Sequence, residues 1–220
     1  MGKFILGDCM DLETGLPSYP DKFFDLAIVD PPYGIGASTN TFLRKGKQTG
    51  KSLCKSGIKY EAKEWDNKTP TINYFDELRR VSKNQIVWGG NYFGLPASSC
   101  WIVWDKENGE NRYSDCELAW TSFKSAVRKA RFRWHGMLQA DMKQKENRIH
   151  PTQKPVKLYR WLLENYAKPG QLILDTHVGS ASSLIACESM GFDYVAWEID
   201  PDYYAAAKNR MSKGIQVVLI

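Results

Sequence analysis

The sequence predicts an α/β domain built on a mostly parallel β-sheet. Three observations carry this: short apolar runs that end in an acidic residue, segments of helical period between them, and small-residue turns joining strand to helix. The runs are nearly continuous in apolar character rather than alternating. That pattern suits strands covered on both faces.

In chain order, Lys3 to Asp8 (KFILGD) and Phe24 to Asp30 (FDLAIVD) read as the first two buried strands. Asn73 to Val81 carries Tyr74, Leu78 and Val81 at helical spacing. Gln85 to Trp88, Trp101 to Trp104 and Cys116 to Phe123 are further strands. Val156 to Tyr166 aligns Val156, Tyr159, Leu162, Leu163 and Tyr166 on one stripe; Pro155 suits its start and Pro169-Gly170 its end. Gln171 to Asp175 is a strand, followed by a helix over Ser182 to Met190 that Gly191 stops. Asp193 to Glu198 is the last strand. A helix over Asp202 to Met211 follows, opened by Asp200-Pro201 and closed by Gly214.

Two polar stretches interrupt this order. Residues 34–71 hold Arg44, Lys45, Lys47, Lys51, Lys55, Lys59, Lys63 and Lys68, and so long a loop is usually functional or disordered. Asp141 to Ile149 carries Lys143, Lys145 and Arg148. The 220 residues suffice for one large domain with a modest insertion, and 43% hydrophobic content suffices for its core. A net charge of +5 permits a nucleic-acid partner without demanding one. Cys9, Cys54, Cys100, Cys116 and Cys187 are scattered and form no Cys-x-x-Cys pair. No metal site or disulfide framework is therefore expected, and free thiols point to the cytoplasm. No run approaches the ~20 apolar residues of a membrane span, and the first apolar run is too short for a signal peptide.

Asp30-Pro31-Pro32-Tyr33 is the sharpest motif. It follows a strand directly, at the edge where open α/β sheets bind ligands. The prolines stiffen the turn and remove two amide donors, leaving carbonyls free to accept. A carboxylate, a carbonyl and an aromatic face together suit a flat molecule bearing an amino group. The alternative is a plain turn, since Asp and Pro favour turns. Asp175 to Ser183 (DTHVGSASS) is a strand-to-helix turn of small residues, which lets a ligand approach backbone and a helix N-terminus. Glu198 ends the next strand at the spacing that puts an acid on ribose hydroxyls; an ordinary turn is the bland alternative. His150-Pro151-Thr152-Gln153-Lys154-Pro155 is a proline-braced loop ahead of a helix, or simply a rigid cap.

Taken together, Gly7-Asp8, Asp30 to Tyr33, Trp104-Asp105-Lys106, Glu117-Leu118-Ala119-Trp120, His150 to Pro155, Asp175 to Ser183 and Glu198-Ile199-Asp200 resemble, in that order, the β-class DNA amino-methyltransferases. The resemblance covers nearly the whole chain. It implies a Rossmann-like methyltransferase fold with a seven-stranded, mostly parallel sheet and helices on both faces. It implies S-adenosylmethionine as cofactor, double-stranded DNA as partner, and a bacterial, archaeal or phage-infected cell as setting. Asp30, Pro31, Pro32 and Tyr33 would bind the target amine, and Asp30 would also contribute to the cofactor site. Asp175, His177, Gly179 and Ser180 would hold the methionine part of the cofactor, with Thr152 and Lys154 assisting. Glu198 and Ile199 would take its ribose side, and Asp8 with Cys9 would lie near its adenine. An aspartate heading the tetrapeptide favours adenine N6 over cytosine N4. The family's loop usually reads Asp-Pro-Phe-x-Gly-Ser-Gly-Thr-Thr; here Thr176 and His177 replace Pro-Phe, and Ala181 replaces the second glycine.

One methyltransferase domain over 1–220 is expected, with a basic loop at 34–71 and target recognition within 105–149. Arg128, Lys129, Arg131 and Arg133, interleaved with Phe132 and Trp134, read either as a DNA-contacting surface or as a solvated edge strand. The short recognition region suggests a short target site or a second subunit forming a homodimer. Alternatives are methyl transfer to cytosine N4, to RNA or to a protein glutamine, and a non-catalytic DNA-binding protein that kept the fold.

Overall fold

The computed structural model describes residues 2–36, 63, 65–109, 114–135, 138–139, 141–143 and 145–213. The elements are β1 (Lys3–Leu6), β2 (Phe24–Val29), α1 (Ile72–Val81), β3 (Ser82–Trp88), β4 (Trp101–Asp105), β5 (Cys116–Thr121), β6 (Arg128–Arg131), β7 (Trp134–His135), β8 (Leu138–Gln139), α2 (Val156–Tyr166), β9 (Leu172–Asp175), α3 (Ser182–Met190), β10 (Asp193–Glu198) and α4 (Pro201–Ser212). Most of the basic stretch within 34–71, and Gly214 after the last helix, lie outside the described residues.

The main sheet has the order β1-β10-β9-β2-β3-β5-β4-β6, and β7 pairs with β8 in a separate ribbon. Strands β1, β10, β9, β2 and β3 run parallel. The neighbours β3–β5 and β5–β4 are antiparallel, and β6 returns parallel to β4. The expected seven strands are thus eight. The additional strand is β6, whose Ala130 is buried while Arg128, Lys129 and Arg131 are exposed. Exposed charges make β6 a stable edge, and they leave the segment open to solvent or to a partner.

Period-two burial divides each central strand between two cores. Leu26, Ile28, Ile86, Trp88, Ile173, Tyr194 and Ala196 face one side, with α2, α3 and Ala207 of α4. Ala27, Val29, Val87, Leu174, Val195 and Trp197 face the other, with α1 and Leu16. This is why the strands read as continuous apolar runs. On α1 the buried Tyr74, Phe75, Leu78 and Val81 make one stripe, whereas α3 is buried from Ser182 through Cys187 against the sheet and α2. Helix ends follow their caps. Asp200 accepts from the Asp202 and Tyr203 amides at the start of α4, and Gly191 ends α3 at φ 73°. No helix among the described residues is long and apolar enough to cross a membrane.

Candidate active site

The parallel strands bring four acids to one edge of the sheet. Leu6 pairs with Glu198, Ala196 with Asp175 and Ala27 with Leu174, so Asp8, Glu198, Asp175 and Asp30 follow one another across β1, β10, β9 and β2. At the usual strand spacing this row spans about 14 Å. The Gly7 amide donates to the Glu198 carbonyl at 2.9 Å, which holds the Asp8 turn beside Glu198.

At the β2 end the Asp30 to Tyr33 turn is held from three sides. The Tyr33 hydroxyl donates to Asp30 Oδ1 at 2.5 Å. The Tyr33 and Gly34 amides donate to Asp66 Oδ1 at 2.7 and 3.1 Å. The Tyr33 ring stacks on Tyr92 with centroids 5.1 Å apart. That ring lies so close to Gly89 that a Cβ there would sit 2.2 Å from Cε1, and Gly89 has φ 67°, so glycine is required twice over.

Lys154 completes this corner. Its Nζ lies 2.6 Å from Asp30 Oδ2, 3.1 Å from Glu117 Oε2 and 3.2 Å from the Tyr33 hydroxyl. Lys106 Nζ meets the other Glu117 oxygen at 2.6 Å. Charges thus alternate from Asp30 through Lys154 and Glu117 to Lys106. Burial pulls the Lys154 ammonium down, but Asp30 and Glu117 outweigh it and hold it above the usual lysine range. Burial pushes Glu117 up, yet Lys154 and Lys106 overcome this and draw it down to about 2. At Asp30 burial wins: it raises the carboxyl, Lys154 only partly opposes it, and Glu117 adds to it.

At the β9 and β10 ends, Asp175 accepts from the His177 amide at 3.0 Å and from the Ser183 hydroxyl. Burial first, with Asp30 and Glu198 adding, pushes its carboxyl up to about 7. Glu198 takes the Gly179 amide on Oε2 at 2.7 Å and the Asp200 amide on Oε1 at 2.9 Å. Gly179 is at φ 53°, and Ala181 adopts φ 61° although it bears a Cβ. The Ser180 and Ser182 hydroxyls lie 3.1 Å apart. Ile199 is 62% exposed beside Glu198, and Cys9 is buried at the end of β1. His177 is bonded through Nδ1 to Thr176 at 2.9 Å and lies edge-on to Tyr74; burial draws it down to about 4, so it is neutral at pH 7.

The expected residues therefore gather in two groups along one edge, around Asp30 and around Glu198. Two depart from the expected neighbourhood. The Lys154 ammonium bonds at the Asp30 end, and the Thr152 hydroxyl bonds His150 Nδ1 at 3.1 Å. Sequence reasoning missed the part of Asp66, whose carboxylate anchors the tetrapeptide from a loop far along the chain. It also gave Glu117 and Lys106 no task. Their signal was an acid on β5 and a lysine just past the end of its antiparallel neighbour β4, visible only once register is known. Arg210 was missed as well; it spans the Ser180 carbonyl at 2.6 Å and Glu146 at 2.6 Å, tying the loop before α3 to the loop that carries Glu146.

Residues 101–209 match the family model described as DNA methylase. The chain belongs to the DNA amino-methyltransferases. Two curated relatives cover most of this chain at low identity. The Escherichia coli (strain K12) protein YubD is 23% identical over 96% of this chain and 91% of its own length. Type II methyltransferase M.HinfI of Haemophilus influenzae is 21% identical over 96% of this chain and 68% of its own. Among solved structures, the M1.HpyAVI–SAM complex matches 96% of this chain and 100% of that one at 18% identity and TM-score 0.53. The cytosine-N4-specific PvuII DNA methyltransferase matches 95% and 86% at 16% identity and TM-score 0.56. These structural likenesses show the methyltransferase fold.

Proposed function

We propose that this methyltransferase moves a methyl group from S-adenosylmethionine to adenine N6 of a base flipped out of double-stranded DNA. The observation that carries this reading is the Asp30–Tyr33 corner, fastened to Lys154, on the same sheet edge as Asp175 and Glu198.

The residues fit the cofactor. Asp30 and Glu198 lie near enough to Asp175 to raise its carboxyl, and a ligand carrying ammonium and sulfonium charges relieves that repulsion. Asp175 and the Gly179 turn face its methionine end. Glu198 retains carboxylate lone pairs for ribose hydroxyls, and Ile199, Asp8 and Cys9 border its adenine. When bound, S-adenosylmethionine supplies an electrophilic methyl group.

The chain's own residues do the rest. Asp30 and the Pro31 carbonyl accept the two amino hydrogens of the base, pulling nitrogen toward tetrahedral geometry so that its lone pair points at the methyl. Tyr33 supports the flipped base by stacking. As the C–S bond breaks and the N–C bond forms, one N–H proton leaves to Asp30 or to water. His177, neutral and packed on Tyr74, keeps the turn in shape and takes no proton.

Residues 105–149 supply target recognition, with β6 and the basic stretch at 34–71 contacting phosphates. The protein works in the cytoplasm, as one domain per chain, and the short recognition region favours a homodimer. Incubation with S-adenosylmethionine and unmethylated DNA, followed by nucleoside mass spectrometry, tests the reading. N6-methyldeoxyadenosine is expected. N4-methyldeoxycytidine would move the target to cytosine, the substrate class of the PvuII enzyme, and an unmodified DNA pool would refute the activity.

A further inference from the structure

The chain of charges beside Asp30 is more than an anchor. We propose that Glu117 is a positioning residue: by sharing the Lys154 ammonium it stops that lysine from neutralising Asp30, and so leaves Asp30 able to accept the proton of the target amine. This rests on the methyl-transfer reading above and assigns a task to a residue which that reading leaves idle.

The geometry is specific. A lysine ammonium has three N–H donors, and Lys154 has three acceptors within reach: Asp30, Glu117 and the Tyr33 hydroxyl. Its side chain is only 2% exposed, so water cannot replace any of them. Glu117 cannot swing toward Asp30, because Lys106 holds its other oxygen, and Lys106 itself is fixed by the Ser114 hydroxyl at 3.2 Å and the Trp104 ring. The remaining ionisable groups facing Asp30 are Tyr159 from α2, Tyr74 from α1 and Asp175 from β9. None of these is a cation, so among the described residues Lys154 sets how strongly Asp30 is neutralised.

Two carboxylates share one lysine, yet their surroundings drive them apart. Glu117 stays a permanent anion between two lysines, whereas Asp30 is held above the usual range and is the more basic partner. In the transfer step the sulfonium becomes a neutral thioether and the base nitrogen gains the methyl. The N–H bonding pair stays on nitrogen, and the proton goes to an Asp30 oxygen. With Glu117 absent, Lys154 would bind Asp30 alone and oppose that transfer.

The two lysine partners can be separated by opposite shifts. Asp30 is titrated by carbon NMR of aspartate-labelled protein, its resonance identified by Asp30→Asn, alongside single-turnover methylation of DNA. Glu117→Gln is expected to lower the Asp30 midpoint and slow the chemical step about tenfold or more with donor affinity unchanged. Lys154→Met is expected to raise the midpoint and move the acid limb of the rate profile to higher pH. If Glu117→Gln fails to fold, Glu117→Asp, which withdraws from Lys154, replaces it and shifts the midpoint the same way. A midpoint that stays or rises on changing Glu117, in a protein that methylates DNA, overturns the role of Glu117 alone. A wild-type protein that methylates no base overturns the functional reading beneath it.

Discussion

The Gly179 amide donates to Glu198 Oε2 at 2.7 Å, so the small-residue turn after β9 and the acid ending β10 form one unit. The same carboxylate takes the Asp200 amide, which opens α4. A side chain that fixes two backbone turns is rigid before any ligand arrives, and rigid acceptors lose little entropy on binding.

Glu198→Gln keeps the shape but replaces one acceptor oxygen by a donor. Charged hydrogen bonds contribute about 1.5–3 kcal/mol, so donor affinity should fall at least about tenfold. Calorimetric titration with S-adenosylmethionine checks this. DNA binding, which uses other residues, should be unaffected.

Asp175 should make donor affinity depend on pH. Burial pushes its carboxyl up to about 7, and only the ionised form attracts an ammonium, so affinity should rise as pH rises through 7. Asp175→Asn should flatten that dependence. The stability of the donor-free protein has the opposite sign. The folded state binds more protons than the unfolded one between the ordinary carboxylate range and pH 7, so this group's contribution is full at low pH and declines toward 7. Thermal melts of wild type and Asp175→Asn across that window test it.

Ala181 sits at φ 61° where the family's loop has glycine, and it is fully buried. Left-handed geometry costs a Cβ-bearing residue about 1–2 kcal/mol. Loss of a buried methyl costs about 0.8 kcal/mol. Ala181→Gly should therefore change stability by no more than about 1 kcal/mol, whereas Ala181→Val, β-branched and without room, should lose more than about 2 kcal/mol. Denaturant unfolding distinguishes the two.

Much of this was legible in the sequence because each central strand is buried on both faces and α2, α3 and α4 are each bounded at one end by a proline, glycine or capping aspartate. Asp30, Asp175 and Glu198 were readable for a related reason: each ends or directly follows an apolar run in a parallel sheet, and so must emerge at one edge. Asp66, Glu117 and Lys106 were not. Their partners lie across loops and antiparallel registers, which local periodicity does not encode. The eighth strand was half legible, since alternation at Arg128 to Arg131 fits either an edge or a contact surface.

The edge strand β6 runs in the direction of β2, because β3–β5 and β5–β4 are antiparallel and β4–β6 is parallel. Its carboxyl end therefore opens on the Asp30 side, four strand spacings or about 19 Å away. Two of its cations are partly committed to Asp105, with Lys129 and Arg131 each at 3.6 Å. Replacing Arg128 and Arg131 with alanine should weaken DNA binding about equally for all sequences. The slope of log affinity against log salt should fall by about one for each phosphate that is no longer neutralised.

The central claim is that Asp30 acts on the target amine and not on the donor. Single-turnover methyl transfer to DNA by Asp30→Ala, with donor affinity measured in the same preparation, tests it most directly. The account predicts a loss of about 10³-fold or more in the chemical step with donor affinity within a few fold of wild type. Transfer within about tenfold of wild type would contradict it.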